Sequence, residues 1–142
     1  MLLDSHVLLW LDTDPHFLSA SQRQALLDLE NEVYVSAATA WELGIKQKKG
    51  QLILLKPVAE LRLLFGFREL SITMAHGELA ASLPLHHKDP FDRMLVAQAI
   101  LERMVRVTAD SELAQYPSDW SSRPASLSRS TALPRPHSAA RA

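Results

Sequence analysis

The chain has 142 residues, 47% of them hydrophobic and 22% charged, with no cysteine and a formal net charge of −1. That length supports one domain with its own core, and the balance is that of a folded chain rather than a disordered one. Without cysteine there is neither a disulfide framework nor thiolate-bound zinc, so any metal must be held by oxygen or imidazole.

Charge is unevenly spread. Residues 1–120 carry all 16 acids against 11 Lys and Arg, a balance of −5, whereas residues 121–142 carry four Arg and no acid, a balance of +4. An acidic body does not attract nucleic acid by its overall charge, so a local basic rim or a metal must do so. No apolar run approaches the roughly 20 residues of a membrane span, and Asp4 interrupts the N-terminus too early for a signal peptide. A soluble, cytoplasmic protein is expected.

In chain order, Met1 to Asp4 reads as a short buried strand that turns into a helix, with Ser5 as candidate cap. Ser19 to Gln22 forms a capping box and predicts a helix from about Ala20 to Glu30. Val33 to Val35 is short and apolar and suits a central strand. Ser36 can cap the next helix, which carries Glu42 and stops at Gly50, a plausible left-handed end. Pro57 can open a helix ending near Gly66, and Glu69 to Ile72 reads as an edge strand. Met74 to Leu83 is helical in pattern.

Pro90 sits at the first helical position behind Asp89 and opens the clearest helix of the chain, running to about Met104. Val105 to Thr108 follows as a short strand, with Asp110 just beyond it. Strands alternating with helices predict an α/β fold, a mainly parallel sheet with helices on both faces. From Tyr116 onward the composition turns to Ser, Pro, Ala and Arg, so residues 117–142 are expected to be a disordered tail behind a domain spanning 1–116.

An open parallel sheet gathers its functional groups beyond the C-terminal ends of its strands. Asp4, Asp89, Asp92 and Asp110 all fall at that edge. Glu42 lies about 9 Å along its helix and must lean back to join them. Each acid also has a purely structural reading. Asp89, Pro90 and Asp92 make a favoured helix start, because carboxylates meet unpaired N–H groups there. Asp4 and Asp110 suit turns, and Glu42 suits a solvated helix face. Trp41, Leu43 and Ile45 read as core, His86 and His87 as loop residues, and Lys46, Lys48 and Lys49 as a solvated face with phosphate contact as the alternative.

Taken jointly, the strings LLDSHVLLWL, VSAATAWELGIK, LPLHHKDPFDRMLVAQA and VTADSEL resemble, in order and spacing, the motifs of PIN-domain ribonucleases, specifically VapC-type toxins of bacterial toxin-antitoxin pairs. The resemblance spans about residues 1–116. It implies a three-layer α/β/α sandwich and a magnesium- or manganese-dependent site that hydrolyses RNA phosphodiester bonds. Carried over, Asp4 matches the acid that ends the first strand, Glu42 that of the W-E motif, Asp92 that of D-R-x-L-x-A-x-A, and Asp110 that of T-x-D. Asp89 matches a more peripheral aspartate, with capping first and outer support second, and Thr108 matches a supporting hydroxyl. The resemblance further implies a cognate antitoxin protein and a homodimer.

The implied chemistry suits these residue types. Crowded carboxylates repel, and a hard dication with oxygen ligands relieves the conflict without Cys or His. Asp4 and Asp92 are then expected as principal metal ligands, with Asp110 and Glu42 acting through water or a second ion. RNA would be single-stranded or looped, with Arg93, Lys46 and Lys88 neutralising flanking phosphates. Two other readings share these residues: a PIN-fold binding module without activity, and a different metal-dependent phosphoryl hydrolase. The second would want an aspartate two residues after Asp4, where His6 stands.

Overall fold

The structure is a computed structural model that describes residues 1–84 and 88–108. Four strands, β1 (Leu2–Leu3), β2 (Tyr34–Ser36), β3 (Arg68–Leu70) and β4 (Arg106–Val107), pair in the order β3-β2-β1-β4, every pair parallel. Around them lie α1 (Ser5–Thr13), α2 (Ala20–Leu27), α3 (Ala37–Lys48), α4 (Val58–Leu64), α5 (Met74–Ser82) and α6 (Pro90–Leu101). This is the three-layer α/β/α sandwich expected, with β3 at an edge.

Alternation along the strands divides the core. Leu3, Val35 and Val107 pack with Val7, Leu8 and Leu11 of α1, Leu26 of α2, Leu43 of α3 and Leu61 of α4. Their neighbours Leu2 and Tyr34 face the other way, with Leu70, against Leu95 and Ala99 of α6 and Met104. A strand two or three residues long can serve both layers because each step reverses its side chain. Leu2, Leu3 and Leu95 are fully buried, and shortening any such side chain costs about 2–5 kcal/mol.

Several helix boundaries follow capping chemistry. Ser19 and Gln22 form the expected capping box of α2, Ser36 Oγ accepts from the Ala38 N–H of α3 at 3.0 Å, and Asp89 Oδ1 accepts from the Phe91 N–H at 2.9 Å. At α1 the cap is Asp4, not Ser5: its Oδ1 accepts from the Ser5 N–H at 2.8 Å. Asp4 has extended backbone (φ −71°, ψ 151°), as an N-cap requires, and Ser5 is already the first helical residue. α2 ends at Leu27 rather than Glu30, because Asp28 turns back on the Glu30 N–H and the Asn31 side chain donates to the Ala25 carbonyl. His76 is buried as part of a second capping box with Thr73. Its Nδ1 accepts from the Thr73 N–H at 3.0 Å, which leaves Nε2 to donate to Glu102 at 2.8 Å.

Three helices end in the same way. After α3, α4 and α6, a residue with positive φ (Gly50 73°, Gly66 71°, Arg103 53°) lets the following N–H reach back to a carbonyl five residues earlier. These bonds are Gln51 to Lys46 at 2.9 Å, Phe67 to Arg62 at 2.8 Å and Met104 to Ala99 at 2.9 Å. Arg103 therefore stops α6 before Met104, and it carries a Cβ where glycine would carry none. Because the Arg103 side chain is exposed, Arg103→Gly is expected to stabilise the protein by about 0.5–1 kcal/mol in urea unfolding. A loss of stability would contradict strain at this position.

Candidate active site

The C-terminal ends of β1, β2 and β4 meet the N-termini of α1, α3 and α6 at one edge of the sheet. The main chain fixes Asp4 there: its N–H donates to the Val107 carbonyl at 3.0 Å and its carbonyl accepts from the Leu8 N–H at 3.2 Å. The carboxylate is 3% exposed. Besides the Ser5 N–H, it accepts from Thr108 Oγ at 2.8 Å through Oδ2, and Arg106 Nη2 lies 3.8 Å from Oδ1. A carboxylate offers about four lone-pair sites, so these contacts orient Asp4 without exhausting it.

Glu42 does lean back from inside α3. It is 3% exposed, not a solvated charge, and its Oε1 accepts from Ser5 Oγ at 2.5 Å. Its Oε2 accepts from Lys46 Nζ at 2.8 Å, an i,i+4 ion pair along the helix. Ser5 thus ties the start of α1 to α3, with Thr39 Oγ at 3.4 Å completing the contact. A second tie fixes α6 to the sheet: Ser36 Oγ donates to Gln98 Oε1 at 2.6 Å, while Gln98 Nε2 donates to the Ser71 carbonyl at 3.2 Å.

Asp92, on the first turn of α6, reports the crowding. Its carboxyl is pushed up from 3.8 to about 6, first by burial, then by the negative charges of Asp4 and Asp89; Arg106 pulls it down and Glu42 pushes it up again. Lys46 answers the same acids. Burial, the largest influence, acts to lower its pKa, but the hydrogen bond and charge of Glu42, with the charges of Asp89 and Asp92, leave it raised. Asp4, Glu42, Asp89 and Asp92 therefore share one electrostatic neighbourhood.

The expected site residues separate accordingly. Asp4, Glu42, Asp89, Asp92 and Thr108 come together, with Asp89 in its capping role. Asp110, His86 and His87 lie outside the described residues. Among the described residues, no three Asp, Glu or His side chains are close enough to hold a metal ion by themselves. The acids at this edge nonetheless offer only oxygen donors, and the charges of Asp4, Asp89 and Glu42 add to burial in raising Asp92, so their chemistry is of the kind a hard dication takes.

Two expectations need correction. Arg93 does not face RNA: it is 9% exposed, and its guanidinium donates to the carbonyls of Ala80, Ala81, Leu83 and Pro84 at 2.7–3.2 Å. The carbonyls of Ala80 and Ala81 belong to the last turn of α5, and those of Leu83 and Pro84 follow it, so a buried cation is drawn to this cluster of oxygens. Trp41 is not core; it is 65% exposed and meets Phe91 edge-on, with ring centroids 5.2 Å apart. Lys88 is exposed, and Lys46 is engaged by Glu42.

Sequence reasoning overlooked Ser5, as more than a cap, and Arg106. The signal for Arg106 was parity: it sits two residues before Thr108, so both point to the same face of β4.

This chain belongs to the PIN-domain family, whose match covers residues 1–118. It is similar to Ribonuclease VapC22 of Mycobacterium tuberculosis, 32% identical over 119 residues that make up 82% of this chain and 91% of the relative. No solved structure matches the chain.

The raised carboxyl of Asp92 has a consequence for stability. Because its folded pKa, about 6, exceeds the ordinary 3.8, the folded state holds the extra proton between those values. Asp92's contribution is therefore complete below about pH 4 and lost as pH rises through about 6. With chelator present, Asp92→Asn should be more stable than the parent by about 1–2 kcal/mol at about pH 8, allowing for solvent screening. The gap should close toward about pH 4. A gap that stayed constant with pH would refute this placement of Asp92.

Proposed function

We propose that this protein is a divalent-metal-dependent endoribonuclease acting as the toxin of a toxin-antitoxin pair. One observation carries the reading: Asp4, Glu42 and Asp92, far apart in sequence, meet at one edge of the sheet, where burial first and then the charges of Asp4, Asp89 and Glu42 raise the Asp92 carboxyl to about 6. Family membership and the resemblance to a VapC ribonuclease supply the reaction class.

In this reading Asp4 and Asp92 hold Mg2+ or Mn2+, with Asp110 as a further ligand and Glu42 linked through water. The ion would supply an activated water and offset charge building on the phosphate. Ser5 and Thr108 restrain Glu42 and Asp4, so their oxygens need not reorganise during the reaction. Asp89 fastens the first turn of α6 and thereby sets the direction of Asp92. Lys46 and the exposed Lys88 neutralise phosphates of single-stranded RNA beside the acids.

The same reading includes a homodimer, a cytoplasmic setting and a cognate antitoxin. Among the described residues, no helix is long and apolar enough to cross a membrane. A groove of about 420 Å³ between α3 and residues 54–59, lined by Ala40, Gly44, Leu54, Leu55 and Val58, supports docking of an apolar antitoxin segment. Residues 117–142 are assigned to a tail outside the catalytic domain.

The test is RNA cleavage with Mn2+, with ends mapped across total cellular RNA. Asp92→Asn should lower the rate at least about 100-fold while keeping a cooperative melt. Cleavage that survives this change would overturn the assignment, and a parent protein that binds an antitoxin but never cuts RNA would favour an inactive module. For binding alone, Lys88→Ala should reduce the salt slope of RNA affinity by about 0.7 if Lys88 meets one phosphate. An unchanged slope would remove it from the interface.

A further inference from the structure

Arg106 is not part of the reaction outlined above, and its position is unusual. β4 pairs with β1 in the register Leu2 to Arg106 and Leu3 to Val107. Arg106 therefore shares the sheet face of Leu2, where the neighbours are Leu95, Ala99 and Met104. An aliphatic side chain would suit that face. The arginine side chain is instead 3% exposed, with Nη2 3.8 Å from Asp4 Oδ1. A guanidinium gives up much hydration in such a place, and it is tolerated only opposite negative charge.

Thr108 stands two residues further along the same face and donates to the other oxygen of Asp4. β4 thus addresses Asp4 twice, once with charge and once with a hydroxyl. The charge balance agrees. Among the described residues, Asp4, Glu42, Asp89 and Asp92 set four negative charges against the positive charges of Lys46 and Arg106. Arg106 approaches from the sheet, its backbone held in β4 by the pairing with β1.

We propose that Arg106 is a built-in counter-charge of the carboxylate pocket, a positioning residue that keeps Asp4 in place without metal and weakens the pocket's hold on divalent ions. The inference rests on the metal-dependent reading of the pocket, but its structural half is independent of it. Such a device would let the chain fold before it is loaded, and would keep the ion exchangeable.

The experiment compares the full-length parent with Arg106→Gln, which removes the charge and keeps polarity, and Arg106→Lys, which keeps the charge. Mn2+ binding is measured by calorimetry, and thermal melts are taken in chelator and in saturating Mn2+. Arg106→Gln should bind Mn2+ at least about tenfold more tightly. It should also melt lower than the parent in chelator and gain more from Mn2+, while Arg106→Lys stays near the parent in all three. Equal changes in both variants, or no tightening in Arg106→Gln, would overturn the proposal. A parent that binds no Mn2+ would sink the nuclease reading instead. The chelator melts would then still decide: a loss confined to Arg106→Gln supports the counter-charge, and equal losses in both refute it.

Discussion

Like charges confined at the rim of a half-dry sheet edge are the constraint to which the rest of this molecule answers. In water, carboxylates a few ångströms apart repel weakly; at an effective dielectric near 20, a pair about 6 Å apart costs about 3 kcal/mol. Several such pairs would consume much of the 5–15 kcal/mol by which a domain is typically stable, a general range of about that size. The fold meets this with fixed dipoles and cations. Helix N-termini face Asp4, Asp89 and Asp92, hydroxyls of Ser5 and Thr108 donate to the acids, and Lys46 and Arg106 stand on either side. Burial and the neighbouring acids together leave the Asp92 carboxyl raised.

Arg106 shows how finely opposed these effects are. Its attraction to Asp4 at 3.8 Å amounts to about 4 kcal/mol at a dielectric of 20, and desolvating the guanidinium costs several kcal/mol in return. The pair therefore adds little net stability over an aliphatic replacement. Its value lies in where it places charge. By contrast, Arg93 satisfies four carbonyls at the end of α5 and ties that helix to α6, a structural duty that has no need of a ligand. Two arginines thirteen residues apart thus act near the start of α6, one for packing and one for the pocket.

Much of this was legible in the sequence because local chemistry and global fold agree. Ser36, Asp89 and Pro90 announce helix starts, Gly50 and Gly66 announce ends, and the alternation of Leu2 with Leu3 and of Tyr34 with Val35 separates two layers. The family motifs added the joint meaning of acids that are individually ordinary caps. Where the reading slipped, two residues competed for one role or a long side chain reached beyond its neighbourhood. Asp4 and Ser5 are both good caps, and only the backbone angle at Asp4 decides. Arg93 reaches back 9 to 13 residues, and no spacing rule predicts that. Trp41 has the composition of core but lies on an exposed side of α3, where it meets the Phe91 ring edge-to-face. Asp110 and the chain after Thr108 lie outside the described residues.

Separate elements of this chain build one carboxylate pocket, and its proposed occupant is a hard cation. Crystals soaked in Mn2+ and measured at the manganese absorption edge test it most directly. An anomalous peak is expected within about 2.2 Å of carboxylate oxygens from both Asp4 and Asp92. A fully soaked crystal with no peak at that edge of the sheet, or with one bound only elsewhere, would contradict it.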